Sequence, residues 1–267
     1  MGETIVITSG KGGVGKTTIT ANLGISLSLL SFGVVMVDAD IGLRNLDLVM
    51  GVEKKVKYHI LDVSKGLCTL DEALVKDTRS QAPLCLLPAS QSHFKEDIQK
   101  DDFSQLIHSL RKRFEYVLID SPAGIEYGFK TAMREATQAI VVVNPEVSSI
   151  RDADRVISLL EQKKIKPIYL IINRVNAELL KKKEIVAPEE IQEILDIPLL
   201  GTIPEDNSVL IAANQGKPFA YQPQSKLGEI FLHMAKRLTN TEPMVVEESA
   251  KTESLWNKVK KSFTLKK

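Results

Sequence analysis

The sequence predicts an α/β protein: a doubly wound, mainly parallel sheet of about seven to eight strands flanked by helices. Three observations predict it. Short apolar, β-rich runs recur at 3–8, 34–38, 84–87, 116–120, 139–143, 168–172 and 199–203, separated by stretches with helical periodicity. Several are apolar almost throughout, as strands buried on both faces are. The distinctive polar residues follow the ends of these runs, where ligands bind in such sheets. At 267 residues and 43% hydrophobic content, the chain can bury one large core.

The first run, Thr4-Ile5-Val6-Ile7-Thr8, leads into Gly10-Lys11-Gly12-Gly13-Val14-Gly15-Lys16-Thr17-Thr18 and then a helical pattern from Ile19 to Leu30. A glycine-rich loop between a strand and a helix is the setting of a phosphate-binding loop. The glycines let successive N–H groups turn inward around a polyphosphate, and the helix N-terminus adds positive potential. Lys16 is expected to reach the terminal phosphates, and Thr17 to offer its hydroxyl to Mg²⁺. Lys11 is a second cation in the loop. From the residues alone it reads equally as a solvated surface lysine or as a lysine aimed at the nucleotide of a facing subunit.

The second run ends at Asp38-Ala39-Asp40. Carboxylates two apart at a strand end can face one ligand or its metal. Asp40 is the candidate to orient or deprotonate an attacking water, and Asp38 is a further candidate near the metal. The run Tyr116-Val117-Leu118-Ile119 ends on Asp120, which is expected to hold Mg²⁺ partly through water. After 139–143 comes Asn144-Pro145-Glu146-Val147-Ser148-Ser149, where Pro145 ends the strand and Ser148 or Ser149 suits a helix N-cap. Asn173, with Arg174 beside it, follows the next strand and is the candidate for an adenine edge; no Asn-Lys-x-Asp guanine signature occurs, which favours ATP over GTP.

The net charge of +1 hides an asymmetry: residues 251–267 carry six lysines and one glutamate, which leaves −4 on residues 1–250. No broad basic field on the body attracts nucleic acid, and no specific nucleic acid is expected as a partner. Cys68 and Cys85 form no CxxC pair and read as small buried thiols in a reducing compartment; the histidines at 59, 93, 108 and 233 show no ligand spacing. No signal peptide pattern precedes the first strand and no apolar run spans a bilayer, so a soluble intracellular body is expected. Met1-Gly2 also misses the myristoylation pattern, with Val6 where Ser or Thr is needed.

The end of the chain changes character. Residues 1–239 are expected to form the ATPase domain, 240–252 an acidic flexible linker, and 253–267 an amphipathic helix. At about 100° per residue Leu255, Val259, Phe263 and Trp256 fall within one narrow apolar stripe, flanked by Lys258, Lys260 and Lys261. Too short to span and too polar for a core, it matches a helix lying on an anionic membrane surface. Weak binding by one copy would become firm in a dimer through effective concentration.

The loop Lys-Gly-Gly-Val-Gly-Lys-Thr resembles the deviant phosphate loop of the MinD/ParA family of dimerising ATPases. Asp-Ile-Gly-Leu-Arg-Asn-Leu-Asp at 40–47 resembles the first switch of the MinD branch, Ser-Pro-Ala-Gly at 121–124 the second, and 144–154 the helix start at the dimer edge. Ile203-Pro204-Glu205-Asp206 resembles the loop near the base, and no chemical role is assigned to it. The likeness spans residues 3 to about 235, with the tail similar in kind only. It implies an ATP-bound homodimer with Mg²⁺ in which Lys11 acts across the interface, and it places Asn45, Glu146, Ser148, Asp152 and Asp154 at dimer or partner surfaces. It further implies a division inhibitor (MinC-like) and an ATPase activator (MinE-like) as partners in septum placement. The implied location is cytoplasmic and peripheral on the inner face of the cell membrane, or plastid stroma and inner envelope. A ParA-like DNA-partitioning ATPase and a non-enzymatic ATP-gated adaptor are the alternatives.

Overall fold

In the computed structural model, residues 1–92 and 98–245 are described. The strands are β1 (Glu3–Thr8), β2 (Val34–Asp38), β3 (Val75–Lys76), β4 (Leu84–Leu87), β5 (Tyr116–Asp120), β6 (Gln138–Val143), β7 (Ile168–Val175) and β8 (Leu199–Pro204). They form one sheet in the order β3-β4-β2-β5-β1-β6-β7-β8. Every pairing is parallel except β3 with β4. The helices are α1 (Lys16–Leu29), α2 (Leu46–Met50), α3 (Ile60–Ser64), α4 (Leu70–Ala73), α5 (Lys100–Arg111), α6 (Tyr127–Ala132), α7 (Val147–Gln162), α8 (Ala177–Lys181), α9 (Pro188–Leu195), α10 (Ser208–Asn214) and α11 (Lys226–Leu238).

The apolar runs are buried on both faces because helices cover both. Along β5, Val117 and Ile119 join the core under α3, α5, α6, α7 and α9, while Leu118 joins the core under α1, α2 and α11. The same alternation holds in β1, where Val6 faces one core and Ile5 and Ile7 the other. In α7, Ile150, Ala153, Val156, Ile157 and Leu160 are buried at helical spacing and the remaining face is polar. By contrast α1 has no open face: eleven of its residues, including Thr20, Asn22, Ser26 and Ser28, are buried between the sheet on one side and α2, α11 and residues 219–221 on the other.

The topology fixes where a ligand can sit. Strands β5, β2 and β4 extend from one side of β1, and β6, β7 and β8 from the other, so the order reverses at β1. Register brings Ile7 and Asp38 level with Asp120, so β1, β2 and β5 end together on the loop side.

Two expectations are adjusted. Helix α7 starts at Val147 with Glu146 as its N-cap, not at Ser148 or Ser149, because the Ile150 N–H already bonds the Glu146 carbonyl; the Ser149 hydroxyl instead accepts from the Asn144 N–H at 3.1 Å. Residues 240–245, placed in the expected linker, are held on the body: Glu242 pairs with His233 at 2.8 Å and Lys236 at 3.1 Å, and Val245 bridges to Leu199. The rest of that linker and the whole expected tail helix, with Leu255, Trp256, Lys258, Val259, Lys260, Lys261 and Phe263, lie outside the described residues. No helix among the described residues is long and apolar enough to cross a membrane.

Candidate nucleotide site

The site is built where β1 ends. Its N-cap to α1, Gly15, sits at φ 100°, which favours glycine, and has no side chain to satisfy the first turn. The first-turn N–H groups of α1 thus lack a side-chain cap, the setting in which a helix N-terminus takes an anion. A Cβ on Gly15 would lie 2.4 Å from the Asn173 Nδ2, and one on Gly10 would lie 2.4 Å from the Asp152 backbone. The loop is thus wedged between the ends of β7 and α7, with backbone packed where any side chain would overlap. Gly12 and Gly13 have open space around them.

Lys16 is buried, and its Nζ donates to the Ser9 Oγ at 3.1 Å. Asp120 is buried beside it and accepts from the hydroxyls of Thr17 and Thr20, the latter at 3.4 Å. Burial raises the Asp120 carboxyl above the usual carboxylate range, against the pull of Thr17, Lys16 and Thr20. An acidic oxygen short of counter-charge beside two hydroxyls is a hard-oxygen donor set, and it fits a divalent cation such as Mg²⁺. Thr17 and Asp120 are the residues that would hold it.

Asp38, the further candidate near the metal, lies beside Asp120 and also organises the following loop. Its Oδ1 accepts the Asp40 N–H at 3.0 Å, and its Oδ2 accepts the Asn45 and Leu46 N–H groups, both at 3.2 Å. The side chain folds the 40–46 loop around itself and anchors the start of α2. Burial and the charge of Asp120 raise its carboxyl as well. Asp40 stands beyond it, half-buried, close enough for its charge to act on both Asp38 and Asp120. In the same loop Arg44 pairs with buried Asp47 at 2.5 Å, while Leu43, Asn45 and Leu48 are exposed.

Asn173 is at the site, but its amide is engaged: Nδ2 donates to the Val14 carbonyl at 2.7 Å, and Oδ1 accepts the Arg174 N–H at 2.9 Å. It braces the phosphate loop and also lines the cleft beside it. The neighbouring cleft is lined by Gly15, Thr18, Ile19, Arg174, Val209 and Leu210, with Phe219 and Phe231 behind. Sequence reasoning left 203–206 and 210–215 without a chemical role; residues between 203 and 213 form a wall of this cleft, which is apolar enough for a flat base. Ser9 and Thr20 were also missed, since a lone hydroxyl carries no pattern.

Lys11 lies across from α7, its Nζ 2.6 Å from the Glu146 Oε2, both side chains about half exposed. Ser148 is exposed on the same first turn, and Asp152 and Asp154 are half-buried further along it. Burial raises the Asp154 carboxyl, offset in part by Arg155. The structure brings Lys11, Glu146 and Asp152 to one rim of the phosphate loop.

A phosphate loop at the switch point of a doubly wound sheet, with a carboxylate closing the adjacent strand, defines a nucleotide-binding protein of the phosphate-loop class. The family model for the CobQ/CobB/MinD/ParA nucleotide binding domain matches residues 5–219. The chain belongs to this family. It is 45% identical to the septum site-determining protein MinD of Bacillus subtilis over 266 residues, 98% of each chain. Its fold is similar to that in the MinC:MinD cell division protein complex of Aquifex aeolicus, with a TM-score of 0.84 and 41% identity over 93% of this chain and 100% of that one. It is also similar to MinD of Pyrococcus horikoshii in complex with Mg-ADP, with a TM-score of 0.80 and 33% identity over 90% and 97%.

Proposed function

We propose that the chain is a septum site-determining ATPase of the MinD type, which hydrolyses ATP to ADP and phosphate with Mg²⁺ and works with a MinC-like division inhibitor. The observation that carries this is the convergence of Lys16, Thr17 and Asp120 at the end of β1 and β5, below an apolar cleft. Mg²⁺ held by Thr17 and Asp120 would neutralise charge on the phosphates. Lys16 and the N–H groups of Gly12 to Thr18 bind the phosphate oxygens, and the cleft walled by residues 203–213 takes the adenine. Asp40 positions the water, with Asp38 fixing the loop that carries it.

ATP closes a homodimer in which Lys11 leaves Glu146 and reaches the partner's phosphates. The exposed surface around Asn45, Glu146, Ser148, Asp152 and Asp154 then receives the inhibitor and a MinE-like activator. Paired tails hold the dimer on an anionic membrane, on the inner face of the cell membrane or its plastid equivalent, and hydrolysis releases it. The net −4 of residues 1–250 disfavours the DNA-partitioning alternative.

Sedimentation with anionic vesicles tests the reading, with ATP, with ADP, and with ATP after the chain is cut behind Ala250. Binding in ATP alone that is lost on truncation, accompanied by Mg²⁺-dependent phosphate release, is the expected result. Binding that ignores the nucleotide would remove the dimer-gated membrane step. No phosphate release with lipid present would leave an adaptor.

A further inference from the structure

Residues 77–79, at the turn between β3 and β4, take no part in the site described above, yet they hold two of its elements. Asp77 is buried, and Arg79 grips it with Nε at 2.9 Å and NH2 at 2.6 Å. Tyr221 donates its hydroxyl to the same carboxylate at 2.8 Å, and its ring lies 4.5 Å from the guanidinium centre. The guanidinium also reaches two backbone carbonyls: NH2 donates to Met50, at the end of α2, at 2.5 Å, and NH1 to Gly216, just past α10, at 3.5 Å.

Those two helix ends touch backbone to backbone. Gly51 and Gly216 both adopt left-handed φ, +65° and +60°. A Cβ on Gly51 would lie 2.4 Å from the Gly216 carbonyl oxygen, and one on Gly216 would lie 2.3 Å from the Gly51 Cα. The Met50 carbonyl at the end of α2 carries partial negative charge and lacks an intrahelical donor, and the Gly216 carbonyl follows the C-cap of α10. A planar guanidinium can serve both while holding a carboxylate bidentately; an ammonium cannot. The same two helices also face the nucleotide site, α10 along its length and α2 by its start. Helix α10 carries Val209, Leu210 and Ala213 of the cleft wall, and α2 begins at Leu46, whose N–H is held by Asp38 in the loop that carries Asp40.

We propose that Arg79 is a positioning residue that makes α10 and the 40–51 segment one body, so that filling the base cleft sets the loop that faces the phosphates. This rests on the cleft being the base site. The coupling gives adenine a part in switching beyond affinity: a ligand with phosphates alone fills the loop but leaves the switch segment unset.

Hydrogen exchange of the amides of 45–51 tests it, in wild type and in Arg79→Lys and Arg79→Gln, each without ligand, with Mg²⁺-pyrophosphate and with Mg²⁺-ADP. In the wild type ADP is expected to slow exchange at 45–51 about tenfold more than pyrophosphate does. In Arg79→Lys, which keeps a cation and a folded sheet as judged by unchanged exchange in β1 and β5, that difference should shrink to within about twofold. Either an undiminished ADP effect in Arg79→Lys or equal protection by both ligands in the wild type overturns the coupling and leaves the nucleotide site standing. A wild type that binds neither ligand overturns the nucleotide reading, and the coupling with it. Arg79→Gln with intact β1 and β5 exchange repeats the test without the charge.

Discussion

Lys11 and Glu146, 135 residues apart in the chain, meet at 2.6 Å across the rim of the phosphate loop. Within one protomer, then, the lysine that would serve a neighbour's nucleotide is held by its own α7. Both groups are about half exposed, so the pair contributes only about 0.2–1 kcal/mol.

Releasing Lys11 should therefore ease dimerisation without disturbing the fold. Glu146→Ala is expected to leave Tm within about 2–4 °C. Two pairs are opened per dimer, so it should tighten ATP-driven self-association by about two- to thirtyfold. Sedimentation velocity across a concentration series reads this directly. Weaker association in the variant would mean that Glu146 contributes more to the interface than to restraint. Lys11→Ala, by contrast, should bind ADP normally and remain monomeric in ATP.

Asp40 and Asp38 should separate chemistry from loop geometry. Asp40→Ala removes the carboxylate proposed to position the water but leaves the Asp40 N–H that Asp38 holds. ATP binding and lipid retention are expected to persist while turnover falls by about 10²–10⁴-fold. Normal turnover would refute the role. Asp38→Ala should loosen Asn45 and Leu46 and so lower affinity and turnover together.

The buried pair Asp38 and Asp120 gives a pH signature. Burial raises both carboxyls above the unfolded value of about 3.9, so the nucleotide-free fold binds more protons than the unfolded chain does. Their contribution is fully present below that value and is lost as pH climbs from about 4 through about 6 for Asp120 and about 8 for Asp38. Asp120→Asn should accordingly raise the Tm of the nucleotide-free protein at pH 7.5, and the difference from wild type should fade near pH 4. The same substitution should abolish Mg²⁺-dependent phosphate release. A variant less stable than wild type at pH 7.5 would show that the ionised carboxylate stabilises the empty site.

Gly15 and Asn173 can be tested as one contact. Gly15→Ala forces a Cβ to within 2.4 Å of the Asn173 amide and strains a φ of 100°, so ADP affinity should drop by about tenfold or more. Asn173→Ala deletes one hydrogen bond to the Val14 carbonyl, worth about 0.5–1.5 kcal/mol. It should raise KM a few-fold with little change in kcat, and isothermal titration with ADP would show the same loss. Unaltered affinity in Asn173→Ala would leave the brace without a role in binding.

Local chemistry was legible and distant chemistry was not. The run 3–8 returned as Glu3–Thr8 and 116–120 as Tyr116–Asp120, because a strand walled by helices on both sides must be apolar throughout. Strand β7 runs on to Val175, past the expected end at 172, because Val175 pairs with Pro204 of the edge strand β8 after a register irregularity, where burial relaxes. Strand β3 escaped notice: it is two residues long, and Lys76 faces outward, so it has no period to detect. In the site, the loop 10–18 declares itself through glycine and lysine spacing. The use of Asn173 does not, because its partner Val14 is 159 residues away and only the fold brings them together. The same holds for Arg79, whose carbonyl partners lie 29 and 137 residues off.

Helix α1 leaves the chain little room to drift. Walled by the sheet, α2, α11 and residues 219–221, it offers almost no position where a change goes unfelt: at Gly24 even a methyl would press to 2.6 Å on the Met36 sulfur. A substitution library across residues 16–29 should return few working variants, whereas the exposed positions of α7, such as Arg151 and Arg155, should tolerate many. The helix behind the phosphate loop is the fixed text of this fold, and the exposed face of α7 is its margin.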